Sequence, residues 1–204
     1  MEYISDRNIE DKAFELLSKY SNNFNWKFSF PIPIEMIIEK YLNYSLDTFI
    51  ENKNILGAID QVNKIIYTNE NAIPYFRQYP GSFEFTLAHE VGHWALHCDF
   101  NINQLCIMDK PVSVICRAKS NDFKEIQANK YAAAILMPEN LVRETLTDID
   151  FYNWPTLYKI AEDWHVSITA LKNRLEKLQL CYYNENSKKF CRNRNAENGQ
   201  QPLF

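Results

Sequence analysis

Two histidines four residues apart with a glutamate after the first, in Ala88-His89-Glu90-Val91-Gly92-His93, restrict this chain more than any other feature. The pattern has a chemical use only on an α-helix. There, residues four apart lie about 40° apart around the axis and about 6 Å along it, so both imidazoles can converge on one point. The neighbouring residues agree with a helix: Phe85, Leu87, Ala88, Val91, Trp94 and Ala95 recur at helical spacing after the Pro80-Gly81 break. Ser82 is the expected N-cap and Glu84 falls in the first turn.

Imidazoles so placed suit a divalent cation such as zinc, and Glu90, on the adjacent sector of the helix, can hold a water and take its proton. That is the chemistry of peptide-bond hydrolysis. A catalytic zinc usually takes three protein ligands and leaves one position to solvent, so a third donor has to come from elsewhere. Two residues compete for that place. His97 stands eight residues after His89, and three donors strung along one straight helix are too spread to grip one ion, so it reads as a capping or packing residue. Glu125 opens a second helical pattern, expected over Asp122 to Met137 and closed by Pro138. Asn129, one turn further on, is placed to orient a ligating histidine. From residue types alone, Glu125 reads as a ligand and equally as a solvated carboxylate or the fourth member of a capping box begun at Asp122.

The stretch Phe85-Thr86-Leu87-Ala88-His89-Glu90-Val91-Gly92-His93, followed by Glu125-Ile126-Gln127-Ala128-Asn129-Lys130-Tyr131-Ala132-Ala133-Ala134-Ile135-Leu136-Met137-Pro138, resembles the ImmA/IrrE family of metallo-endopeptidases. The resemblance covers roughly Ile32 to Leu146, and the segment from Trp164 to Leu180 is similar to the helical module that commonly follows in that family. It implies a zinc-dependent gluzincin with His89, His93 and Glu125 as metal ligands and Glu90 as the catalytic base, Mn2+ being an alternative to Zn2+. It also implies a protein substrate, typically a helix-turn-helix transcriptional repressor of a mobile element or a stress response.

The remaining pattern predicts an α+β fold. Residues 1–150 read as a zincin-like metallopeptidase domain of helices with a small antiparallel sheet, 151–194 as a helix-turn-helix-like module with a β-hairpin, and 195–204 as a polar tail. Ala13, Phe14, Leu16, Leu17 and Tyr20 mark one amphipathic helix, and Ile34, Ile37, Ile38, Tyr41 and Leu42 another. The strands fall at Leu46 to Ile50, Ile55 to Ile59 and Lys64 to Thr68, and either of the last two could offer an edge to an extended substrate. Leu157, Ile160, Ala161 and Trp164, then Ile168, Leu171, Leu175 and Leu178, give the faces of two further helices around a turn at His165-Val166-Ser167.

Charge and cysteine content narrow the functions. Lys plus Arg number 22 against 26 Asp plus Glu, a net charge of -4, which excludes a surface built throughout for nucleic acid. Thr156 to Arg194 is locally basic, and Lys172, Arg174 and Lys177 on the second helix, with Lys188 and Lys189 in the hairpin, form an arrangement compatible with phosphate contacts. A solvated or packing face is the favoured reading of these charges. A second function class therefore stands beside the peptidase, a non-proteolytic regulator that binds DNA or a repressor and holds a structural metal. The longest apolar run, Tyr131 to Met137, is far short of the roughly 20 residues of a bilayer span, so no membrane partner is expected. Five cysteines without a framework spacing read as reduced cytoplasmic thiols rather than a second metal site around Cys98, Cys106 and Cys116. Tyr131, Arg143 and His165 are conceivable oxyanion stabilisers without a spacing argument.

Overall fold

The computed structural model of the chain describes residues 4–50, 55–97, 123–184 and 189–191. Cys98, Cys106, Cys116 and Asp122 lie outside them, as does the expected loop from Phe100 to Ser120. Helix α1 (Asp6–Phe24) starts where the Ser5 side chain accepts from the Asn8 N–H and stops at Asn25 in the left-handed region. Its buried face is Ile9, Ala13, Leu16, Leu17 and Tyr20. Phe14, expected on that face, is exposed and stacks on Phe28 instead. After the Pro31-Ile32-Pro33 break, α2 (Ile34–Met36) runs into a π-helical turn, Ile37–Tyr41, that buries Ile37 and Ile38.

Strands β1 (Ser45–Phe49), β2 (Gly57–Asp60) and β3 (Ile65–Asn69) form one sheet in the order β1-β3-β2. The expected antiparallel pattern holds for β2 against β3 alone; β1 lies parallel to β3, with Leu46 opposite Ile66, so the sheet is mixed. The periodicity of β1 carries no information on which edge it joins, because a strand pairs through its backbone on either side. Among the described residues, the outcome puts β3 in the middle and leaves β2 as an edge.

A short helix α3 (Ile73–Gln78) leads to α4 (Ser82–His97), and α5 (Phe123–Leu136), α6 (Glu139–Leu146), α7 (Trp154–Asp163) and α8 (Ile168–Lys177) follow. Helix α4 packs along α5, and on its other side against β2 and β3, while α1 covers α5. The start of α4 corrects one expectation. Ser82 is not its N-cap: the Phe85 N–H donates to the Gly81 carbonyl, and the Ser82 hydroxyl donates to the Tyr79 carbonyl at 2.6 Å. Gly81 has φ +80, and a Cβ there would come within 2.3 Å of the Val166 backbone. The α7–α8 turn is thus seated directly on the beginning of α4.

Strands β4 (Tyr182–Asn184) and β5 (Lys189–Cys191) pair antiparallel after α8. The buried apolar side chains of 151–191, among them Leu157, Trp164, Leu171, Leu175 and Phe190, belong to the same continuous cluster as those of the preceding helices. Phe30 stacks on Trp164 with ring centroids 3.8 Å apart. Cys181 and Cys191 are free thiols, and burial pushes the Cys181 thiol up to about 12.

Of the basic residues of α8, Arg174 is buried, Lys172 is half-buried, and Lys177 is exposed yet paired. Arg174 is 1% exposed, pairs through both terminal nitrogens with the Glu10 carboxylate, and donates its Nε–H to the Met137 carbonyl. Lys177 reaches Asp6 at 3.4 Å, and Lys172 lies 4.1 Å over the Tyr183 ring. These residues tie α8 to α1 and to the end of α5. Arg174→Ala, which strands a partly buried carboxylate, is expected to lower the unfolding free energy by about 3 kcal/mol, against less than about 1 kcal/mol for Lys177→Ala. Urea denaturation of both variants measures the difference.

Candidate metal centre

Glu90 and the two histidines fall on the middle turns of α4, the stretch covered by both the sheet and α5. His89 Nε2 and His93 Nε2 lie 3.0 Å apart. The Glu125 carboxylate, delivered by the first turn of α5, closes the group, with Oε2 3.1 Å from His89 Nε2 and Oε1 3.0 Å from His93 Nε2. Asn129 Oδ1, which can only accept, takes the His89 Nδ1–H at 3.0 Å and so leaves the lone pair of His89 on Nε2, facing the group.

Three potential ligand atoms, both imidazole Nε2 atoms and the Glu125 carboxylate, therefore meet at one point, an arrangement that suits a cation. Ligand atoms at roughly 2.0–2.1 Å from a tetrahedral zinc stand about 3.3 Å apart, close to the separations found here. His93 and Glu125 are in the protonation states that a cation needs, whereas His89 tends to keep a proton that a metal would displace. Burial, reinforced by the neighbouring His89 charge, pushes His93 down to about 4 and keeps it neutral. Burial opposes ionisation of Glu125, but hydrogen bonds and charge from the two histidines carry its carboxyl below the usual range. Burial likewise opposes a charged His89, and the Glu125 hydrogen bond together with the Glu90 charge outweighs it, raising His89 above the ordinary histidine value. These three residues are the one His/Cys/Asp/Glu group able to hold a metal among the described residues.

Glu90 lies beside this group and is 4% exposed. Its Oε2 has no hydrogen-bond partner, and burial lifts its carboxyl to about 7. A carboxylate so placed is a proton acceptor with one oxygen unspent. Of the other residues singled out in the sequence, His97 stays outside the group and donates its Nε2–H to the Lys124 carbonyl at 3.1 Å. Tyr131 is fully buried with an unpartnered hydroxyl, Arg143 is bonded to Glu139 and to the Leu178 carbonyl, and His165 faces Glu84 at 3.5 Å. None of those three meets the histidine–glutamate group.

Two glycines that sequence reasoning passed over shape the site. A Cβ on Gly57 in β2 would stand 2.7 Å from Thr86 Cγ2 and 3.2 Å from Glu90 Oε1, so only glycine lets the strand pass this close to Glu90. A Cβ on Gly92 would meet the Ala128 carbonyl oxygen at 3.0 Å, Ala128 Cα at 3.1 Å and Tyr131 Cβ at 3.2 Å. The signal was present in the scarcity of the residue. The chain has 4 glycines, and Gly57, Gly81 and Gly92 all border α4.

A family model described as the IrrE N-terminal-like domain (Peptidase_M78) matches residues 48–176, more than half of the chain. No curated protein matches significantly. A solved structure described as a Mycobacterium tuberculosis transcriptional regulator superposes with a TM-score of 0.53 at 11% identity, over 84% of this chain and 48% of that one. This chain thus spans about half the length of that structure, and at such identity the likeness is one of fold.

Gly92→Ala gains up to about 1 kcal/mol in helix propensity and loses about 1–3 kcal/mol by wedging α4 from α5. A net loss of about 1 kcal/mol is expected in thermal or urea unfolding, since the atoms in the way are backbone and Cβ.

Proposed function

The chain belongs to the IrrE N-terminal-like peptidase family, and from that membership and the convergence of His89, His93 and Glu125 we propose that it is a zinc-dependent endopeptidase. The observation that carries this reading is the buried Glu90 carboxylate, raised to about 7 and with one oxygen unpartnered, beside three lone-pair donors 3.0–3.1 Å apart. His89, His93 and Glu125 hold the cation, Zn2+ with Mn2+ as the alternative. When bound, that cation supplies Lewis acidity to a scissile carbonyl and acidifies water. Glu90 orients the attacking water and takes one proton from it as the new C–O bond forms. It then delivers that proton to the amine nitrogen as the C–N bond breaks, so the same carboxyl acts first as base and then as acid. Asn129 fixes the tautomer of His89 throughout.

The substrate is proposed to be a protein cut in an extended segment. In the antiparallel ladder between β2 and β3 the Asn69 N–H donates to the Leu56 carbonyl, and by alternation the backbone groups of Gly57 and Ile59 face away from β3. They lie on the edge that runs past Glu90, where no described strand pairs with them, and a peptide backbone is proposed to pair there. A helix-turn-helix repressor of a mobile element or stress response is the proposed substrate, on the family resemblance of the catalytic and ligand blocks. The cytoplasm is its proposed compartment, consistent with the free Cys181 and Cys191. No described helix is long and apolar enough to cross a membrane.

The competing reading, a DNA-binding regulator, draws less support. A helix-turn-helix reads bases with the first residues of its second helix, and here that end of α8 abuts Gly81 while Arg174 and Lys177 are engaged by Glu10 and Asp6.

Glu90→Gln is expected to bind zinc as wild type does and to lose at least about a hundredfold in cleavage rate. Glu125→Ala is expected to lose stoichiometric zinc, measured by metal analysis after dialysis. Cleavage at wild-type rate by Glu90→Gln, assayed on a purified repressor substrate, would remove the proposed mechanism.

A further inference from the structure

His89, His93 and His97 form one stripe along α4, each one turn from the next. The first two point at the Glu125 carboxylate, while the third reaches the backbone one residue before it. We infer that His97 is a positioning residue of the metal centre: its Nε2–H, donated to the Lys124 carbonyl, indexes the first turn of α5 to the rod that carries the two imidazoles. This inference rests on the reading of Glu125 as the third ligand.

The need for such a device follows from the topology. Glu125 is the one donor not carried by α4, and it sits in the opening turn of its helix. Between α4 and α5 the backbones come close at Gly92 and Ala128, one turn past Glu125. That packing holds the bodies of the two helices together, and the opening turn of α5 lies beyond it. The bond from His97 to Lys124 is a second fixed point beyond it, and Glu125 lies between the two on α5. With both points held, its oxygens stay at 3.0–3.1 Å from the imidazole nitrogens. Further along α5, Gln127 and Lys130 are tied to the Ile4 carbonyl and to Asp6, which hold the helix body rather than its first turn.

The test compares wild type, His97→Ala, His97→Gln and Glu125→Ala by chelator-competition binding of Zn2+, by the visible spectrum of the Co2+ forms and by thermal unfolding without metal. His97→Ala is expected to weaken Zn2+ binding about tenfold or more and to perturb the Co2+ spectrum. His97→Gln, whose amide N–H can still donate to the carbonyl, is expected to recover most of the affinity. Wild-type Zn2+ affinity in His97→Ala, whatever its melting temperature, would overturn the inference, as would equal weakening in the Ala and Gln variants. Zn2+ affinity unchanged in Glu125→Ala would instead overturn the ligand assignment beneath it.

Discussion

The close passage of α4 over α5 at Gly92 is the constraint on which the rest of the molecule depends. Two histidines on one helix can offer two ligands, and the third must arrive from another element with sub-ångström tolerance. Here a Cβ-free residue faces the Ala128 backbone, so the helix axes come near enough for a carboxylate one turn away to reach both imidazoles. The small side chains of Ala128 and Ala132, both fully buried, serve the same approach. On the opposite flank of α4 the same solution recurs, with Gly57 allowing the edge strand to lie against the glutamate.

The C-terminal helices brace α4 and α5 through a few specific contacts. Val166 and Ser167 cover Gly81 at the start of α4, Trp164 stacks on Phe30, and Arg174 joins the Glu10 carboxylate to the last turn beyond α5. Both helices of the centre are thereby held at their ends by the same pair, α7 and α8. The Arg174 charge on α8 is spent on holding the protein together.

Much of the centre was legible in the sequence because helical spacing is a strong geometric statement. The spacing of His89 and His93 put both imidazoles on one face of a helix, and Asn129, one turn from Glu125, does meet His89. Glu125 was ambiguous because a long-range meeting of two helices leaves no local pattern. The exclusion of His97 from the ion followed from helix geometry alone, yet its bond to Lys124 could not, since it depends on how α5 enters. The mixed sheet escaped for a related reason: alternation fixes the faces of β1 and says nothing of the side on which it pairs. Arg174 misled in the opposite sense, because an arginine on an amphipathic helix is usually a surface residue, and only the placement of Glu10 shows it to be buried.

The central claim is that two imidazoles and one carboxylate hold a single cation and leave room for solvent. X-ray absorption at the zinc edge of the zinc-loaded protein addresses it directly. The expected spectrum has two imidazole nitrogens and oxygen donors at roughly 2.0–2.2 Å, one oxygen being exchangeable solvent, and no sulfur. A sulfur shell near about 2.3 Å, or scattering from fewer than two imidazoles, would contradict it.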